Sequence, residues 1–166
     1  MRNMFVGTGD LLDLFCAAPT LDTVVRIPCI ARPAYPSGIV ERVMHPDLQN
    51  TGPAEYNLRT DVRQWSYDGP KDSVVTGRSV YDYLDTRDEI SNCLGLLDSV
   101  EINGKGAPVF SEVFGDNVIF FLRSTIQHSN GNLCAPFLSK RGNEMKTGWY
   151  WLGGLWLKNY RVLRFN

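Results

Sequence analysis

The chain has 166 residues, 43% of them hydrophobic, which is enough to bury one ordinary core without disulfide or metal staples. Its net charge of −1 is uneven: residues 1–139 carry 11 Lys/Arg against 17 Asp/Glu (−6), and residues 140–166 carry 6 against 1 (+5). That polarity points either to an acidic or anionic partner or to mutual attraction of the two parts within the fold. No run reaches the roughly 20 apolar residues a membrane span needs. Cys16, Cys29, Cys93 and Cys134 form no C-x-x-C pair and no cluster with histidine, so neither a zinc knuckle nor a disulfide framework is expected. Reduced thiols in a cytoplasmic protein are the consistent reading, with no cofactor and no metal.

Residues 4–6 read as a short strand. Gly7-Thr8-Gly9 then leads into a helix capped by Asp10, in which Leu11, Leu12, Leu14 and Phe15 form an apolar face. Asp10 and Asp13 interrupt what would otherwise pass for a signal-peptide core. The same two carboxylates would repel a phosphate at the helix start, and the third glycine of a dinucleotide cradle is missing. Residues 24–30 predict a strand that Pro28 confines to an edge or bulge. Ile39, Val40 and Val43 predict a short helix over 37–44 capped by Ser37. Turn formers then dominate 45–78, around a helix or strand near 56–65.

Ser79 with Asp82 approximates a capping box for a helix ending near Leu84. Thr86 with Glu89 makes a full box, and Ile90, Cys93, Leu94 and Leu97 follow at helical spacing, predicting one amphipathic helix over 86–102 closed by Asn103-Gly104. Residues 107–114 fit a helical turn or a strand. From Asn117 onward, apolar runs of strand length alternate with Asn130-Gly131, Arg141-Gly142-Asn143 and Gly153-Gly154, the pattern of an antiparallel meander with a type I′ hairpin at Asn130-Gly131. Val118, Phe120, Leu122 and Ile126 share one side of the first strand. Ile119, Phe121, Arg123, Thr125 and Gln127 share the other, which turns polar as though reaching solvent.

The expected architecture is a single α+β domain over 1–166: a loop-rich acidic part (1–78), helices (79–103), and a meander of about four strands (117–166) packed on the amphipathic helix. His45 and His128 sit in no H-x-[ST] repeat, metalloprotease helix or triad order. Lys146-Thr147 after Gly142 has the wrong spacing for a phosphate-binding loop. What remains is an aromatic and basic surface: Trp149, Trp151, Trp156 and Tyr160 with Arg141, Lys158 and Arg161. Such residues are enriched at the energetic centres of protein interfaces and also stack on flat ligands.

The leading expectation is a noncatalytic macromolecule-binding protein, with a protein rather than a membrane as its partner. A small inhibitor or adaptor, such as a phage or mobile-element protein blocking a host defence complex, is one setting for it. The alternatives are a carbohydrate or single-stranded nucleic acid binder, or an enzyme acting on a nucleotide or nucleic acid through His128, Arg123 and Asp116. Oligomeric state is not readable from the residues.

Overall fold

Five consecutive apolar residues at 118–122 place large side chains on both faces of one strand, and both faces must then be covered. In the computed structural model, which describes residues 20–29, 31–38, 40–69 and 74–166, they are. Ile119 and Phe121 enter a cluster with Ile102, Phe110, Phe114 and Leu138, whereas Phe120 and Leu122 enter a second with Val80, Leu84, Ala135 and Leu152. The sheet is thus sandwiched between helices.

The strands are β1 (Val24–Arg26), β2 (Val40–Val43), β3 (Glu55–Asn57), β4 (Val62–Trp65), β5 (Val118–Phe120), β6 (Ile126–His128), β7 (Leu133–Arg141), β8 (Glu144–Trp151) and β9 (Tyr160–Phe165). The helices are α1 (Gly77–Asp85), α2 (Leu96–Gly104) and α3 (Gly106–Phe114). One cluster holds residues of α2 and α3 and the other holds residues of α1, so these elements cover opposite faces. The class is α+β, and β6–β7 and β7–β8 form antiparallel hairpins as expected, while the last strand, β9, pairs with β5 and β4 rather than with β8 across Gly153-Gly154.

Nine-residue β7 organises the main sheet. One of its edges pairs along its length with β8. The opposite edge pairs with β5 through Ile119↔Leu138 and then with β6 through Ile126↔Cys134. Between them, a 3-10 turn at Leu122–Ser124 breaks the row. Farther out, β2 pairs antiparallel with β6, β9 runs parallel to β5, and β4 pairs antiparallel with β9. Two strands from the N-terminal half therefore join the C-terminal ones. A separate ribbon, β1–β3, completes the described structure.

Several local expectations change. Residues 40–43 are strand, not helix, because the edge of β6 offers backbone partners that a short isolated helix lacks. The long 86–102 helix is instead a 3-10 turn at Glu89–Asn92, an extended stretch at 93–95, and α2. Leu94 N–H donates to Leu163 O and Leu94 O accepts from Arg123 N–H, so tertiary pairing takes the backbone that a helix would have used. Thr76, not Ser79, caps α1, its side chain accepting from Ser79 N–H at 3.2 Å. Residues 107–114 are helical, 56–65 spans β3 and β4, and the strand at 24–30 stops at Arg26. Gly131 has φ +81° while Asn130 has no positive φ, so the β6–β7 connection is a hairpin but not type I′. Gly142, φ +61°, is the first of two residues between Arg141 and Glu144, the glycine position of a type II′ turn. The predicted strand at 4–6 and the Asp10 helix lie outside the described residues.

Candidate functional site

Alternation along β8 sends Trp149 and Trp151 to one side and Tyr150 to the other, where Leu152 follows it into the core beside Phe120. Trp149 is half-buried, its ring 6.1 Å from that of Tyr35. Trp151 is 53% exposed, and a Cβ added to Gly153 would meet its ring at 2.2 Å, so the indole lies flat over that glycine. After the turn, the chain runs antiparallel past residues 75–76 at a single bridge: Thr76 pairs with Leu155, and Trp156 N–H donates to Val75 O at 2.9 Å.

The two-residue period then sorts these segments. Val75 and Trp156 turn inward, and Trp156 lies 4.6 Å from Phe120, ring to ring. Val74, Leu155 and Leu157 share the outward face and are 75%, 58% and 49% exposed. Together with Trp151 they give solvent four large apolar side chains within the ten residues 74–76 and 151–157, rather than singly scattered ones. Tyr160 lies 5.0 Å from Phe120, ring to ring, and with Trp156 forms the floor of a cavity of about 390 Å³ whose rim carries Lys158 and Arg161. Two carbonyls, of Lys158 and Tyr160, accept from the Arg161 guanidinium and fix it there.

Thus Trp151, Trp156, Tyr160, Lys158 and Arg161 fall in one region, with the first exposed and the aromatic pair Trp156/Tyr160 acting mainly as support. Trp149 stands farther back on β8, lining a groove with Val100 and Asn103. Arg141 is exposed at the β7–β8 turn, seven strand positions from the end that Trp151 occupies, or about 23 Å at 3.3 Å per residue. The basic end of the sequence is also partly consumed inside the fold, since Arg164 is buried and pairs with Glu89 at 2.8 Å.

His128, Arg123 and Asp116 are not brought together. Asp116 precedes β5 and is exposed, while His128 ends β6 near the opposite end of β7, about 30 Å away by strand rise. The His128 ring supports its own hairpin: Nδ1 accepts from Asn130 N–H at 3.3 Å. Arg123 is buried between them in the break of the row.

Around that break lies a buried polar network that the sequence did not announce. Gln49, half-buried, donates to the carbonyls of His45 and Arg123 at 2.7 and 2.8 Å and accepts from the hydroxyls of Ser124 and Tyr35. Ser124 Oγ accepts from Leu96 N–H at 2.8 Å at the start of α2. Asp98 accepts from the Tyr56 hydroxyl at 2.8 Å and from Gly95 N–H at 2.7 Å. Burial pushes the Asp98 carboxyl up despite those donors, and burial beside Asp98 pushes the Tyr56 hydroxyl up as well. Cys93, wholly buried, has its thiol pushed up to about 12 by burial, which disfavours the reactive thiolate. Its individual members gave no local signal, because Gln49, Tyr56, Asp98 and Ser124 meet only through tertiary packing.

Elsewhere, Trp65, Tyr67 and Tyr83 form a three-ring group, but their centroids are 5.1 to 6.1 Å apart. The rings pack on one another, with the Arg87 guanidinium carbon 3.7 Å from the Tyr83 ring centroid. Among the described residues no group of three or more His, Cys, Asp or Glu is placed to hold a metal, and no helix is long and apolar enough to cross a membrane. Compared with known proteins, the chain matches no family model, no curated protein and no solved structure.

Proposed function

We propose that this is a noncatalytic binding protein that engages a protein partner through the outward face formed by Trp151, Val74, Leu155 and Leu157, flanked by Lys158 and Arg161. The carrying observation is the alternation around the Thr76–Leu155 bridge, which turns half-buried Val75 and Trp156 toward the core while holding Val74, Leu155 and Leu157 out in water. The Thr76–Leu155 bridge and the Trp156 N–H bond to Val75 O tie the two segments together before any partner arrives, which lowers the ordering cost of association. A central apolar group with cationic neighbours is the usual anatomy of a protein interface. Trp149 and Arg141 lie outside this surface, and Trp156 and Tyr160 support it from beneath. A small inhibitor or adaptor is the role such a surface suits.

The test is retention of a partner from lysate by the wild-type protein and by Trp151→Ala/Leu155→Ser, after circular dichroism has shown the variant folded. Both positions are more than half exposed, so the variant keeps its fold. A protein retained by wild type and lost by the variant supports the reading. Equal retention by the two would place the interface elsewhere, and loss of the retained species on nuclease treatment would replace protein with nucleic acid.

A further inference from the structure

Arg123 is 2% exposed, and of its guanidinium nitrogens Nη2 alone makes a hydrogen bond among the described residues, to Ser91 O at 2.9 Å. Among the described residues its Nε is buried without a hydrogen-bond partner, and the Phe165 ring centroid lies 5.6 Å from the guanidinium carbon. Among the described residues its guanidinium forms no ion pair with a carboxylate. A charge removed from water costs several kcal/mol unless an opposite charge and hydrogen bonds replace the solvent, so an arrangement this poorly satisfied is expensive as a structural element alone. The backbone nevertheless locks it: Arg123 N–H donates to Leu94 O, and Gln49 holds its carbonyl.

The side chain lines a cavity of about 230 Å³ between the β1–β3 side and the start of α2. Gly52 forms part of the wall against the guanidinium, where a Cβ would stand 2.9 Å from Nη1. Ile27, Pro28, Pro53 and Leu97 supply apolar walls, and Asp98 contributes the second charged group. Burial lowers the proton affinity of Arg123, but an arginine keeps its charge at any physiological pH. A fixed cation, an apolar wall and a carboxylate acceptor in one concave site are the ingredients of a small-ligand pocket.

We infer that this cavity binds a small molecule bearing a carboxylate or phosphate group, with the oxyanion against Arg123 and a hydrogen-bond donor of the same molecule turned to Asp98. Arg123 is the anchoring residue, since its fork of N–H groups matches an oxyanion in two places. The exposed Cys29 thiol on the cavity wall reports occupancy.

Thermal melts of the full chain with inorganic phosphate, acetate or sodium chloride at matched ionic strength test this, run on wild type, Arg123→Met and Ala54→Phe. Arg123→Met removes the cation with similar volume; Ala54→Phe fills the cavity from an exposed position and leaves the guanidinium untouched. At ten times the dissociation constant the wild type should gain about 4 °C over chloride. Both variants should lose that gain, and the stronger arm names the ligand class. Cys29 alkylation, followed on its own peptide, should slow at least threefold under the effective anion in wild type alone. Equal gains in all three proteins, or gains in none with unchanged Cys29 alkylation, overturn the site. If Arg123→Met does not fold, Ala54→Phe and the Cys29 rate decide the matter by themselves.

Discussion

Glu89→Ala is the most demanding test of how the sheet is held. Arg164 Nη1 sits 2.8 Å from Glu89 Oε2, with the Arg164 side chain 5% and the Glu89 side chain 34% exposed. Arg164 Nε has no partner among the described residues, and the guanidinium carbon lies 5.6 Å over the Trp65 ring. Deleting one member of a buried pair strands the other charge at a cost of about 3–5 kcal/mol; the partial exposure of Glu89 puts this pair at the lower end, about 3 kcal/mol. For a chain of this size that is a fall of about 6–12 °C in melting temperature. Urea unfolding followed by tryptophan fluorescence gives the free energy, and Arg164→Met/Glu89→Ala supplies the sign. Replacing both charges leaves no stranded ion, so the double variant should recover at least about 2 kcal/mol over the single one. If Glu89→Ala lies within about 0.5 kcal/mol of wild type, or the double variant is no better than the single, the pair is not what neutralises Arg164 and the reasoning fails.

Phe120→Ala should cost about 3–5 kcal/mol by denaturant unfolding, because Phe120 is wholly buried and touches the rings of Phe137, Tyr150, Trp156 and Tyr160; a cost below about 1 kcal/mol would show that these rings do not share one core. Thr76→Ala should cost about 1 kcal/mol as the lost cap of α1 and Ser79→Ala clearly less; the reverse order would return the cap to Ser79. His45 is half-buried, with Nε2 2.6 Å from the Tyr81 hydroxyl and 3.6 Å from Asp85, and burial holds its pKa below the ordinary 6.5 even though Asp85 pulls the other way and Arg42 lowers it further. Folding therefore favours the neutral ring: its contribution is complete above pH 6.5 and is lost as pH falls through the folded value. Wild type should lose more urea resistance between pH 7 and pH 5 than His45→Gln does, and identical pH profiles would refute the assignment.

The parts of this fold that were readable are those decided within a few residues. The β7–β8 hairpin follows from alternation and Gly142, and period two puts Tyr150 and Leu152 on the face opposite Trp149 and Trp151, while only the packing shows that face to be the inner one. What was misread was decided by distant partners. Ile39, Val40 and Val43 have the spacing of a helix, and only the free edge of β6, some 85 positions away, makes 40–43 a strand. Thr86 and Glu89 spell a helix start, yet the backbone at 93–95 is drawn out by Leu163 and Arg123. Arg123 itself stood on a side that looked bound for solvent; the 3-10 turn at Leu122–Ser124 instead folds it into the gap between β5 and β6. For the proposed binding surface, the sequence supplied the aromatic and basic residues, but only the bridge of Leu155 to Thr76 separates inward-facing Trp156 from exposed Leu155 and Leu157.

The position of β9 also has a kinetic meaning. It lies between β5 and β4, so Val62 meets Phe165, 103 positions along the chain, and Phe120 meets Val162, 42 positions along. Each pairing requires a large loop to close before its hydrogen bonds return anything, and the closure entropy falls on the barrier rather than on the final stability. Until β9 docks, β4 has no neighbour in the main sheet and the far edge of β5 stands open. Folding should accordingly be slow for a chain of this length, and the species that accumulates beforehand carries unpaired strand edges, so dilution during refolding will govern the yield of native protein.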